Sequence, residues 1–228
     1  MCRGGWAAGT EQPRARPSPC HTHWAPAMGC DQLSTLLPAW RKFLLPHNTV
    51  KVTLDPETAH PMLLVSQDNS SVRWKSKWQQ VPDTPERFDY WWCVLGREEF
   101  REGRHYWLVE VEGERLKYSG WAVGVAKASV KRKGHFKMSP EEGIWAVEYY
   151  EGLLNSLTSP PTSLSLSPIP TRIWVCLDCT QGQVSFINAD NGVEIFTFTA
   201  ASFSGESIHP WFWLRTKGIQ LCLRDSTL

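Results

Sequence analysis

From about residue 50 onwards, apolar and polar positions alternate in short runs broken by turn residues, the pattern of strands whose two faces meet different surroundings. Between His105 and Val111, Trp107, Val109 and Val111 fall on one face, with Tyr106, Leu108 and Glu110 on the other. Trp121, Val123 and Val125 alternate in the same way with Ala122 and Gly124, and Ile219, Leu221 and Leu223 line one face of a closing strand. Ile173 to Leu177 and Val184 to Ile187 flank a turn at Gln181-Gly182, which predicts a hairpin. Asp190-Asn191-Gly192 predicts a second hairpin with a type I′ turn, because Asn-Gly readily takes positive φ. The Ser/Pro/Thr/Leu stretch from Ser156 to Pro170 has no regular period and is expected to be a loop. The pattern predicts an all-β domain.

Upstream the pattern differs. Residues 1–30 are rich in Pro, Gly, Ala and Arg without periodicity and are expected to be a disordered tail, with Met28 an alternative start. In residues 31–46, Leu33, Leu36, Leu37, Trp40 and Leu44 recur at helical spacing behind Asp31 as a possible N-cap. Pro38 limits this lead-in to a short or broken helix, and Pro46 ends it.

A chain of 228 residues holds one such domain with a self-sufficient core. Ten of the 13 tryptophans lie between Trp74 and Trp213, so the aromatic load belongs to the domain and not to the tail, and such large rings suit the gap between packed sheets. With 24 basic and 23 acidic residues there is no global field to attract nucleic acid, and no nucleic-acid partner is expected. No apolar run is long enough for a membrane span, and the N-terminus has no sustained apolar segment of the secretory kind. Seven cysteines without dense, regular spacing suggest a reducing setting, so a cytoplasmic location is expected.

A series of ordered motifs is more specific than the alternation. Val52-Thr53-Leu54-Asp55-Pro56, Arg87-Phe88-Asp89-Tyr90, Val94-Leu95-Gly96 and Gly103-Arg104-His105-Tyr106-Trp107 come first. Gly120-Trp121-Ala122-Val123-Gly124-Val125, Cys176-Leu177-Asp178, Gly182-Gln183-Val184-Ser185-Phe186 and His209-Pro210-Trp211-Phe212 follow. In order and spacing they resemble the PRY-SPRY domain of tripartite-motif proteins and butyrophilins. The resemblance covers about residues 46–228, with a PRY segment over 47–100 and a SPRY segment over 101–228, together one domain. It implies a two-sheet antiparallel β-sandwich of the SPRY type, a concanavalin-like jelly roll, with which the alternation agrees, and a recognition module that binds a protein or peptide through loops, with a place in ubiquitination or innate immunity. It departs at Leu108, where the family has an acid, and at Cys179-Thr180, where it has an aromatic and an acid. The upstream Cys and His residues do not form the paired ligand array of a RING finger. The chain therefore reads as a recognition module without a ligase, and not as an enzyme. The alternative that the resemblance carries is a butyrophilin-type sensor of a small phosphorylated metabolite.

The candidate contact residues are Lys131, Arg132, Lys133, His135, Glu148, Tyr149, Tyr150 and Phe212. Lys127 to Lys137 is a basic run without an acid, either a solvated loop or an anion subsite. The resemblance places Glu148 and Tyr150 where antibody-binding relatives carry ligand-contacting aromatics, with an acid replacing one of them. Alternation in Trp211-Phe212-Trp213 turns Phe212 away from its neighbours, which makes it a candidate hot spot if the two tryptophans pack in the core. Cys176 and Cys179 form a C-x-x-C on a strand, where positions i and i+3 face oppositely, so both are expected to be structural. No phosphate-loop, nucleophile-elbow or zinc-helix motif occurs, and neither a metal nor a cofactor is expected.

Overall fold

The computed structural model describes residues 49–113 and 119–225. The tail expected over 1–30 and the lead-in over 31–46 lie outside the described residues. The described chain forms two antiparallel sheets with a single 3-10 turn, Pro140–Glu142. One sheet has seven strands in the order β1 (Leu63–Val65), β2 (Ser71–Trp74), β13 (Ile219–Arg224), β4 (Arg104–Gly113), β9 (Arg172–Asp178), β10 (Gln183–Asn188) and β11 (Glu194–Phe198). The other has six: β3 (Cys93–Leu95), β12 (Ile208–Leu214), β5 (Gly120–Lys127), β6 (Ile144–Tyr150), β7 (Leu153–Ser156) and β8 (Thr162–Leu164).

The inner faces meet in one core. Trp107, Val109 and Val111 of β4 and Leu221 of β13 pack from the seven-stranded side, and Trp121, Val123, Val147 and Phe212 from the other. This is the face assignment that the alternation predicts for β4 and β5. The β9–β10 hairpin also forms as expected, with Gln183 paired to Asp178.

Two local expectations are corrected. The Asp190-Asn191-Gly192 turn is not type I′, since only Gly192 takes positive φ there, at 71°. The Asn188 N–H donates to Val193 O and the Gly192 N–H to Asn188 O, both at 2.8 Å, so the loop is a helical turn closed by a left-handed glycine. Side-chain acceptors at Asn188 and Asn191 take the N–H groups of Asp190 and Val193 and hold this wider shape. Within 156–170, Thr162–Leu164 is a strand, with Leu164 opposite Leu154 and packed on the core. Three residues are too few for a visible period.

The outer face of the six-stranded sheet is covered over part of its width, on β12 and β5. Trp211 and Trp213 of β12 lie over the small residues Ala122 and Ala126 of β5, and Phe88, Val130 and Phe136 close over them in a second apolar cluster. Arg87 anchors the covering segment. Its side chain is 5% exposed and donates to the carbonyls of Pro82, Pro56 and Ala59 at 2.7–2.8 Å. Next to it, His60 Nδ1 accepts the Met62 N–H at 3.0 Å while Nε2 lies 3.1 Å from Asp89 O, which fixes the Nε2–H tautomer. Burial lowers the pKa of His60 to about 4, opposed by its contact with Asp89.

Candidate functional site

The face that is only partly covered is the outer side of the six-stranded sheet. Directly paired residues share a face, so one row runs Cys93, Trp213, Ala122, Glu148, Asn155, Ser163 across β3, β12, β5, β6, β7 and β8. Gly120, Tyr150 and Leu153 form the adjoining row. Small residues on β5 allow the neighbouring rings to lie low. A Cβ on Gly120 would sit 2.9 Å from the Trp213 ring and 3.1 Å from that of Tyr150.

Two aromatic groups rise around this floor. In the first, the Arg215 guanidinium lies 5.2 Å from the Tyr150 ring centre and 5.8 Å from that of Trp92, and it donates to the Tyr150 hydroxyl. In the second, Tyr90 lies edge-on to Trp91 and to His135, each at 5.3 Å between centres, and Trp91 Nε1 donates to Phe136 O at 2.9 Å. The His60 ring joins Trp92 to Trp78, which is 62% exposed. Tyr90 and Leu153 are also more than half exposed, at 52% and 57%. Large apolar surface left open on a well-packed scaffold marks an interaction site more often than a defect.

Glu148 supplies the charge. It is half-buried on this face, and among the described residues its carboxylate has neither an ion pair nor a hydrogen bond. Burial raises its pKa above the ordinary glutamate value. A desolvated acid beside aromatic surface is suited to a cationic or hydrogen-bond-donating group from outside.

The cations of the basic run, in contrast, are engaged by the fold. Lys127 meets Glu206 at 3.3 Å, Lys131 donates to His135 O, and Lys133 pairs with Asp83. Lys137 donates to Ser159 Oγ at 2.7 Å. Arg132 donates to Val130 O and Ala128 O and lies 5.0 Å from the Phe88 ring centre. These contacts shape the loop that covers the second cluster.

Comparison with known proteins decides the family. Residues 52–100 match the model of the SPRY-associated domain, PRY, and residues 104–225 match that of the SPRY domain. The chain belongs to the SPRY family. It is 50% identical to butyrophilin subfamily 1 member A1 of Mus musculus over 74% of this chain and 31% of the relative. It is 42% identical to tripartite motif-containing protein 10 of Sus scrofa over 79% of this chain and 37% of the relative. The chain thus spans about a third of the length of these relatives. The crystal structure of the TRIM65 PSpry domain superposes with a TM-score of 0.67 at 22% identity, covering 83% of this chain and 96% of that one, a likeness of fold. SPRY domains of the tripartite-motif and butyrophilin family are generally protein-binding modules, and this PRY-SPRY unit has the family's two-sheet architecture.

Within the SPRY domain the candidate residues separate. Glu148 and Tyr150 share the open face, and His135 stands beside Tyr90. Phe212 and Tyr149 do not reach the surface. Phe212 is 1% exposed in the inter-sheet core, and Tyr149 is 7% exposed with its ring stacked 5.8 Å from Trp121. The expectation of a surface hot spot at Phe212 is therefore corrected: β12 is buried on both faces, so turning away from Trp211 and Trp213 turns it into the core. Trp91, Trp92, Trp78 and Arg215 complete the rim without having been singled out in sequence. Only a tertiary contact links Arg215 to Tyr150.

Among the described residues no group of His, Cys, Asp and Glu is arranged to hold a metal ion, and no helix is long and apolar enough to cross a membrane. Cys176 and Cys179 are free and pack on opposite sides of their sheet. Burial raises the thiol of Cys176, and that of Cys179 up to about 11, which keeps both protonated.

Proposed function

We propose that this PRY-SPRY domain recognises a protein segment that presents a lysine or arginine between apolar residues, read on the outer face of the six-stranded sheet. The observation that carries the reading is the Glu148 carboxylate, half-buried and without a partner among the described residues, beside the Tyr150–Arg215–Trp92 group. Its aromatic surroundings would take up the flanking apolar side chains. A butyrophilin-type phosphate sensor finds less support, because the cations of the 127–137 run are committed within the chain. A receptor role in ubiquitination or innate immunity, within the cytoplasm, is part of this proposal, and the likeness to tripartite-motif and butyrophilin proteins supports it.

Selection of a random displayed dodecapeptide library on the full chain tests the reading. Enriched peptides are expected to share a basic residue flanked by aromatic or aliphatic ones, and Glu148→Lys is expected to weaken them by about 30-fold, roughly 2 kcal/mol. Affinity should also fall on acidification at a higher pH than an ordinary glutamate would dictate, since the ionised carboxylate binds the cation and its pKa is raised. Peptides without a basic consensus, or with equal affinity for the Glu148→Lys chain, would refute the reading.

A further inference from the structure

One side of the seven-stranded sheet carries positive charge that the fold does not compensate. Strand pairing across β1, β2, β13 and β4 puts Leu64, Arg73 and Glu112 in one row. These three, with Trp74, Lys75 and Lys217, line a cavity of about 580 Å³. That size lies within the range of about 300–1,000 Å³ usual for ligand sites. Arg73, Lys75 and Lys217 are exposed, and among the described residues none of their side chains has an ion pair or a hydrogen bond. Glu112 is the one acid on the lining, and it is held by Arg224. The basic run at 127–137 differs in this respect, because its cations are bonded within the chain.

A cavity lined by charge of one sign concentrates its field on whatever enters, and here the counter-charge has to come from outside. Leu64 and Trp74 are only partly buried and give the same cavity an apolar wall. The site is also continuous with the open face of the other sheet. The turn from β12 to β13 starts at Arg215, which donates to the Tyr150 hydroxyl, and two residues later Lys217 lines the cavity. Two residues span at most about 7 Å, so a partner lying across this turn reaches both surfaces.

We propose that the cavity is a second contact site of the domain, which takes an aspartate or glutamate next to an apolar residue from an acidic segment of a partner protein. Arg73, Lys75 and Lys217 hold the carboxylate through charge-assisted hydrogen bonds, and Leu64 and Trp74 receive its apolar neighbour. The site does not rest on the Glu148 reading. The two surfaces carry opposite charge, and either can fail while the other stands.

The test is selection on the full chain of a displayed dodecapeptide library that contains no lysine or arginine, so that Glu148 has no cation to read. Enriched peptides are expected to share an acidic residue beside an aromatic or aliphatic one, and to bind less tightly as salt is raised. Lys75→Glu combined with Lys217→Glu should weaken them by about tenfold or more, and Lys75→Arg with Lys217→Arg should not. Both lysines are exposed and unbonded, so the denaturant midpoint of either double variant should stay where it is. Lys131→Glu with Lys137→Glu makes the same change in net charge on the other basic segment and should leave affinity unaltered. Glu148→Lys should leave it unaltered too. A library that yields no acidic consensus would overturn the proposal. So would peptides indifferent to Lys75→Glu with Lys217→Glu, or weakened equally by Lys131→Glu with Lys137→Glu.

Discussion

Arg87→Met is expected to cost the domain about 3–5 kcal/mol, seen as a lower denaturant midpoint at unchanged slope. The side chain is 5% exposed, and its guanidinium donates to three carbonyls from two separate stretches of chain, Pro56 and Ala59 on one side and Pro82 on the other. Methionine keeps much of the volume but leaves three acceptors facing an apolar side chain, and each buried unsatisfied group costs about 1–3 kcal/mol. The nearby Glu57 contributes little, because at 3.6 Å and 70% side-chain exposure its attraction is screened by water. Arg87→Lys should recover less than half of the loss, since an ammonium cannot reproduce the planar fork that reaches all three carbonyls. A loss below about 1 kcal/mol for Arg87→Met would show that these acceptors find water readily and that the covering segment is held by apolar contacts alone.

Gly124→Val separates strand propensity from packing, because the two predict opposite signs. Glycine inside a strand is unfavourable, and valine is favoured there on a scale spanning about 1 kcal/mol, so propensity alone predicts stabilisation. The geometry predicts the reverse. A Cβ on Gly124 would sit 2.2 Å from Trp145 O and 2.5 Å from the Ala146 Cβ, whereas opposed Cβ atoms in an antiparallel pair normally lie about 4.5–5.5 Å apart. Both obstacles belong to β6 and include backbone, so relief requires the β5–β6 pairing to open. We expect a loss of about 3–5 kcal/mol by chemical denaturation. A more stable Gly124→Val chain would mean that the two strands separate at little cost.

How much of this was legible in the sequence follows from what each residue needed. The faces of β4 and β5 were readable because Trp107, Val109, Val111, Trp121, Val123 and Val125 alternate with period two and look into a single core. The same alternation misled at Phe212. Period two says that neighbours face oppositely, but it does not say which side meets water, and on β12 neither does. The cover that buries Trp211 and Trp213 comes from Phe88 and from Val130 and Phe136, far away along the chain. The basic run was visible as charge, while the groups that engage it, such as Asp83, Ser159 and Glu206, are brought in by folding. Glu148 and Tyr150 were found through the family resemblance. Arg215 and Trp92 were not, because the guanidinium over two rings exists only in three dimensions.

The claim that the ligand is read on the outer face of the six-stranded sheet is tested most directly by hydroxyl-radical footprinting of the full chain with and without a library-selected peptide. Tyr90, Tyr150 and Leu153 line or rim that face, whereas Val193, 51% exposed, follows β10 at the turn to β11 on the other sheet. The account predicts that the peptide protects Tyr90, Tyr150 and Leu153 and leaves Val193 as reactive as before. Protection of Val193 with undiminished oxidation of Tyr150 and Leu153 would contradict it.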